Sequence, residues 1–240
     1  MGLSTFSEEV VARPSIKSSW LSFVEHFPVL SVTWVLSGFL YLIWTFIFYI
    51  CTYGGLLLDI ALAYDYYYYF EEGTFTLTGI AIGGLTGIPL LIVICTILTM
   101  VQAVPAIHYA RGGKRVSAET AFKELNRRKF RYIFAGLFYT LMLVIGTIFC
   151  IVPGIVIGFI GPIYVNRIFV TNKGIFSSFN DSFKSLFASK DWFKFILVSF
   201  LGCLILTFSG LLTCNMSYFA LYPMYCFYIQ RYAYYKGILN

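Results

Sequence analysis

The stretch Tyr132–Val170 reads YIFAGLFYTLMLVIGTIFCIVPGIVIGFIGPIYVNRIFV and holds a single charged side chain, Arg167. An α-helix needs about 20 apolar residues to cross the hydrocarbon of a bilayer. This stretch is two such lengths, broken at Pro153-Gly154. Lipid offers the backbone no hydrogen-bond partners, so a spanning segment must satisfy its own. The reading is a tight hairpin of two transmembrane helices, over 132–152 and 154–170.

Four more apolar runs of the same kind flank the hairpin, over 29–51, 78–102, 193–212 and 216–234; only Cys214-Asn215 separates the last two. Composition points the same way. Of 240 residues, 59% are hydrophobic and 12% charged, and the mean hydropathy is +0.80. A soluble domain carries about 25% charge, and half of that does not cover a soluble surface of this size. Aromatics make up 20% of the chain, with 19 Tyr; their part-wet, part-dry rings favour bilayer interfaces.

Lys and Arg orient the spans, because basic loops stay on the cytoplasmic side. With six spans and both termini inside, all 17 basic residues fall on one side. Arg13 and Lys17 precede the first span. Arg111, Lys114, Arg115, Lys123, Arg127, Arg128, Lys129 and Arg131 lie between the second and third. Lys173, Lys184, Lys190 and Lys194 follow the fourth, Arg167 ends it, and Arg231 and Lys236 close the chain. The opposite side carries Asp59, Asp65, Glu71 and Glu72. This places both termini in the cytoplasm. No cleavable leader is read in residues 1–27.

Each pair of spans follows an amphipathic stretch. Ile16, Trp20, Phe23, Val24 and Phe27 share one helical face. Ala118, Ala121, Phe122, Leu125 and Tyr132 share another, opposite Lys123, Arg127 and Arg128. Phe176, Phe179, Phe183, Leu186 and Phe187 make a third. Such helices are expected to lie at the cytoplasmic interface, apolar face down, with Ser117 and Ser178 as N-caps. The second helix of each pair also recurs. Gly79-Ile-Ala-Ile-Gly83 and Gly87-Ile-Pro89 match Gly154-Ile-Val-Ile-Gly158 and Gly161-Pro162, and Pro223 repeats the internal proline. The expected fold is all-α: an integral membrane bundle of six transmembrane helices, built as three repeats of interfacial helix plus hairpin. Residues 1–27 form an N-terminal segment and 28–240 a single membrane domain.

Small residues let helices approach closely where lipid gives no drive to associate. Gly79, Gly83, Gly87, Gly154 and Gly158 are therefore candidates for packing inside the bundle or between two copies. Arg111, Lys114, Arg115, Arg127 and Arg128 are candidates for anionic lipid, each basic residue near such a surface being worth about 1 kcal/mol. Tyr66, Tyr67, Tyr68 and Tyr69, followed by acids, read as an outer aromatic belt or as a docking surface for another membrane protein or a hydrophobic ligand. Asp59 reads as the outer end of the first span, or as a buried acid if that span continues outward, and Arg167 as a snorkelling side chain or a buried partner.

Catalytic signatures are missing from the sequence. His26 and His108 stand in no metal-binding spacing, and no HExxH, GxSxG or P-loop occurs. No cofactor or metal is expected, and no nucleic acid, since topology accounts for the basic charge. The six cysteines read as small buried hydrophobes; Cys51, Cys150 and Cys214 fall on the outer side, where a disulfide is permitted and no pairing is selected.

One segment carries a family likeness. Gly112-Gly113-Lys114-Arg115-Val116-Ser117-Ala118, Ile151-Val152-Pro153-Gly154-Ile155 and Ser189-Lys190-Asp191-Trp192 make the stretch 110–194 resemble a family of uncharacterised prokaryotic membrane proteins. That family includes YciC-like proteins and the membrane domain joined to some glycerophosphodiester phosphodiesterases. The resemblance implies a multi-helix inner-membrane protein with no established activity. The hydrolase domain of some relatives has no counterpart here. The expected role is non-enzymatic: an accessory or lipid-organising subunit of a membrane complex, its partners membrane lipids and another membrane protein or a second copy. The alternative is a small transporter or channel for a lipid-like or neutral solute, with a polar path past Gln102, Asn166, Arg167 and Asn215.

Overall fold

A computed structural model of the chain describes residues 13–65, 74–149, 151–214 and 216–239. All regular structure among them is helical: α1 (Ile16–Asp65), α2 (Thr74–Leu98), α3 (Met100–Ala110), α4 (Ala118–Arg127), α5 (Lys129–Phe149), α6 (Ile151–Val170), α7 (Ile175–Ala188), α8 (Trp192–Leu212) and α9 (Tyr218–Tyr235). Five stretches are long and apolar enough to cross a membrane: Ile16–Ala61, Thr74–Ala110, Lys129–Phe149, Val152–Val170 and Trp192–Leu212. The segment expected as the sixth span is helical, as α9, but its 18 residues include many Tyr together with Gln230 and Arg231, and it is not among the five stretches apolar enough to cross.

The chain divides into two compact units, one of residues 32–98 and one of 1–31 with 99–240. In the first, α2 lies along α1 through glycine. A methyl added at Gly79 would stand 2.2 Å from the Cys51 carbonyl oxygen, one at Gly83 3.1 Å from the Phe48 ring, and one at Gly87 2.0 Å from Trp44 Nε1. Gly55 of α1 answers from the other side, 2.2 Å from the Phe75 carbonyl oxygen by the same measure. The stripe 79-83-87 thus receives the face 44-48-51 of its neighbour. Asp59 joins the same contact. Its carboxylate accepts the backbone N–H of Phe75 (3.0 Å) and Thr76 (2.8 Å), and so caps the start of α2, where the first N–H groups lack helical partners. Asp59 does not end the first helix, as expected from sequence; α1 continues to Asp65.

In the second unit α6 is central, packed by α3, α5, α7, α8 and α9. Ile160, Ile163, Phe195 and Phe227 are fully buried. Pro153 falls in the first turn of α6, where its missing N–H has no helical partner to lose. Pro162, inside the helix, cannot bond the carbonyl of Gly158, and the hydroxyl of Tyr139 donates there (3.2 Å) and to the Ile157 carbonyl (2.7 Å). Gly161 leaves room for that ring: a methyl at this position would be 2.7 Å from the Tyr139 oxygen.

Apolar side chains cover the outside of the bundle as well as its core. Buried positions include Ser19, His26, Thr33, Ser178, Ser182, Ser199 and Gln230, while Ile148, Phe149, Leu211 and Leu212 are exposed. Exposed apolar surface on this scale marks a protein whose solvent is lipid.

Two local expectations are corrected. Residues 16–27 are not a separate interfacial helix; α1 runs through Pro28. A proline costs a helix one hydrogen bond, here to the exposed Val24, and its fixed φ is itself helical. Ser178 is not an N-cap: α7 starts after Gly174, and Ser178 is buried, its carbonyl accepting from the Ser182 hydroxyl (2.6 Å). The buried stripe of α7 is Ser178, Ser182 and Leu186, with Phe176 and Phe187 exposed. Small side chains permit close approach to α6, and the large rings are left outside.

Candidate functional site

Two basic structures occur in the second unit. The first begins where α3 ends. Gly112 and Gly113 have φ of 70° and 82°, and their N–H groups return to the carbonyls of Tyr109 (3.1 Å) and His108 (3.0 Å), a Schellman turn that glycine favours. The segment after it is held by both histidines. His108 Nδ1 pairs with the Lys114 carbonyl (3.0 Å), and the Val116 N–H donates to Nε2 of His26 (3.0 Å). The rings themselves meet edge to face at 4.7 Å, with Phe227 against both. Ser117 then caps α4, its hydroxyl accepting from the Thr120 N–H (3.2 Å). Arg111, Lys114, Arg115 and Arg127 are exposed and Arg128 half-buried. Arg127 also pairs with Glu124 (2.7 Å). Residues 111–128 carry six basic and two acidic side chains, a net positive ledge on a fixed backbone.

The second structure is a cavity of about 470 Å³ lined by Arg167, Ser185, Ser189, Lys190, Asp191 and Lys236 together with residues 237–238. Arg167 comes from the last turn of α6, and Asp191 precedes α8. The chain end supplies a wall. Gly237 (φ 64°) turns it back through bonds from Gly237 N–H to Tyr234 (3.0 Å) and Ile238 N–H to Ala233 (2.9 Å), and Ile238 and Leu239 are buried. Asp191 accepts from Lys236 (2.8 Å) and Lys194 (2.9 Å). Those two hydrogen bonds, Lys236 first, hold its carboxyl down to about 2, and the same contact raises the Lys236 ammonium. Asp181 is lowered by its bond to Lys173, with Arg167 adding a smaller attraction. Arg167 also lines a cavity of about 110 Å³, together with Asn166, Thr171 and Tyr234.

Other residues singled out in the sequence fall elsewhere. Gly154 is buried against Thr147, where a methyl would lie 2.5 Å from the Thr147 hydroxyl, whereas one at Gly158 would only touch Leu143 at 3.9 Å. Close packing at Gly146, Gly161 and Gly202 was not read from the sequence; a methyl at Gly202 would be 2.3 Å from the Tyr225 ring. Arg131 is not part of the exposed ledge: it donates to the carbonyls of Thr171 (3.0 Å) and Lys173 (2.6 Å) and ties the start of α5 to the end of α6. Gln102 donates to the Tyr222 hydroxyl, and Asn166 to Gln230 (3.2 Å) and Tyr234 (3.1 Å). Tyr66, Tyr67, Tyr68, Tyr69, Cys150 and Asn215 lie outside the described residues. Cys51 and Cys214 are free thiols.

The cavity was also missed, although Gly237 followed by Ile238-Leu239 carries a recognisable signal: glycine just past a helix, then apolar residues that fold back. Among the described residues no group of three His, Cys, Asp or Glu could hold a metal. Comparison of the chain with protein-family models, curated proteins and solved structures finds no match.

Proposed function

We propose that this chain is a non-enzymatic, six-span protein of the cell (inner) membrane, with cytoplasmic termini, that gathers anionic lipid on its cytoplasmic side as an accessory subunit of a membrane complex. The observation that carries the reading is the ledge Arg111–Arg128, whose exposed cations stand on a backbone fastened by His26 and His108. A fixed basic surface beside apolar, lipid-exposed helices attracts anionic headgroups at about 1 kcal/mol per charge. The common side is supported by the contacts that gather basic segments: Arg131 with residues 171 and 173, and Lys236 with Asp191. Tyr66–Tyr69 remain the proposed contact for a partner protein, and the likeness of 110–194 to YciC-like proteins is kept as part of this proposal. A solute path is less favoured, because Gln102 and Asn166 are engaged by Tyr222, Gln230 and Tyr234.

The test is extraction from the native membrane in a lipid-preserving polymer, followed by analysis of what accompanies the protein. Enrichment of anionic over zwitterionic lipid is expected for the wild type and is expected to fall when Arg111, Lys114, Arg115 and Arg127 are all changed to Gln. A partner protein lost on changing Tyr66–Tyr69 to Ser supports the accessory role. Equal lipid composition around wild type and the Gln variant overturns the lipid role.

A further inference from the structure

We propose that the cavity framed by Arg167, Lys190 and Lys236 is a binding site for one phosphate-bearing headgroup, distinct from the diffuse attraction of the basic ledge. It rests on the reading that this end of the bundle meets the membrane surface.

Charge and hydrogen bonding select the ligand. Three cations and one acid line the space, and Asp191 is already neutralised by Lys236 and Lys194 at 2.8 and 2.9 Å. Arg167 differs from its neighbours. Its Nε is buried and has no hydrogen-bond partner, a costly state for a guanidinium donor. A planar fork of N–H donors matches phosphate oxygens in pairs, and Arg167, which lines the cavity, carries such a fork. The volume, about 470 Å³, is in the range of small-molecule sites and fits a glycerophosphate-sized group.

The surroundings indicate that the group is attached to a lipid. The cavity reaches Ala188 and Asp191, at the turn between α7 and α8. Flanking that turn, Phe187 and Trp192 stand 5.5 Å apart, and both are exposed. Aromatic rings of this kind sit at headgroup depth and give acyl chains a surface while the phosphate enters the cationic space. The walls at Ser185, Ser189 and the backbone of 237–238 add polar groups beside the cations.

The experiment uses the full chain purified in mild detergent, native mass spectrometry, and three probes: phosphatidylglycerol, phosphatidylcholine and inorganic phosphate. One phosphatidylglycerol is expected to remain bound to wild type, with affinity about tenfold or more above that of Arg167→Gln, as expected for loss of a charge-assisted pair. Arg167→Lys keeps the charge without the fork and is expected to fall between them. Lys184→Gln, outside the cavity, is expected to match wild type. If Arg167→Gln fails to fold, Lys190→Gln and Arg167→Lys serve the same comparison. Displacement of lipid by millimolar inorganic phosphate would assign the site to free phosphate and overturn the lipid source. Unchanged phosphatidylglycerol retention in every cavity variant overturns the site. Variants of the ledge leave this stoichiometric lipid in place, so failure here and failure of the broader lipid role are read separately.

Discussion

Val116 and His26 are 90 positions apart in the chain, and the backbone N–H of one donates to Nε2 of the other at 3.0 Å. An imidazole nitrogen that accepts carries no proton, so His26 is neutral and its hydrogen is on Nδ1, directed to the Ser22 carbonyl at 2.8 Å. The ring is fully buried and satisfies a loop N–H that no helix serves. A residue with the profile of a functional histidine thus acts as a fastener, and what it fastens is the basic ledge.

Replacing His26 by Phe keeps an aromatic in the core but strands the Val116 N–H. An unsatisfied buried donor costs about 1–3 kcal/mol. The expected outcome is a lower melting temperature in lipid nanodiscs and faster proteolysis within 111–117, with Lys123→Gln as an unaffected control. Wild-type protection of that loop in His26→Phe would show that the bond does not hold it.

Helix positions were legible because membrane helices announce themselves in apolar length. Spans read at 132–152, 154–170 and 193–212 become helices at 129–149, 151–170 and 192–212. Which face of each helix is buried was less legible. Phe176 and Phe187 form the conspicuous apolar face of α7, yet Ser178 and Ser182 are the buried ones, because in lipid the ordinary inside-outside contrast fails and small size decides packing. The cavity was illegible for another reason. Arg167, Asp191 and Lys236 are far apart in the chain, and only the packing of α7, α8 and α9 against α6 brings them together.

Glycine substitutions separate contact from coincidence. At Gly87 an added methyl meets Trp44 Nε1 at 2.0 Å, while at Gly84 it meets nothing within 4 Å. Gly87→Ala is expected to destabilise by about 1–3 kcal/mol, the usual cost of overpacking, and Gly84→Ala to be neutral or slightly stabilising through helix propensity. Thermal unfolding of both proteins in the same nanodisc lipid checks this; equal melting temperatures would remove Gly87 from the α1–α2 contact.

The Asp191–Lys236 pair gives a pH dependence of known sign. Its partners hold the Asp191 carboxyl at about 2 in the folded protein, below the ordinary value of about 3.9. A lowered folded-state pKa adds stability above the unfolded value, and that stability is lost as pH falls through the folded value. The gap in melting temperature between wild type and Asp191→Asn is therefore expected to be full at about pH 5 and to close toward about pH 2. Carboxyl-carbon NMR of labelled aspartate checks the cause: Lys236→Gln is expected to move the Asp191 titration back up.

Tyr139 and Pro162 allow the sharpest test of how the bundle is held. Proline lacks the N–H that would bond the Gly158 carbonyl, and the Tyr139 hydroxyl donates to that oxygen at 3.2 Å and to the Ile157 carbonyl at 2.7 Å. If the hydroxyl substitutes for the missing helical bond, its value depends on the proline. Tyr139→Phe in the wild type is expected to cost about 1–2 kcal/mol, a hydrogen bond with one partner left stranded. In a Pro162→Ala background the residue at 162 regains an N–H, Gly158 is satisfied within the helix, and the same change is expected to cost less. The double-mutant cycle reads the difference directly, and neighbouring groups that share a partner couple by about 0.5–3 kcal/mol. Strict additivity would mean that Tyr139 is held by Ile157 and the fit against Gly161 alone. A positive coupling would mean that the hairpin partner completes the α6 backbone at Pro162, which links this internal proline to a specific tyrosine on the facing helix.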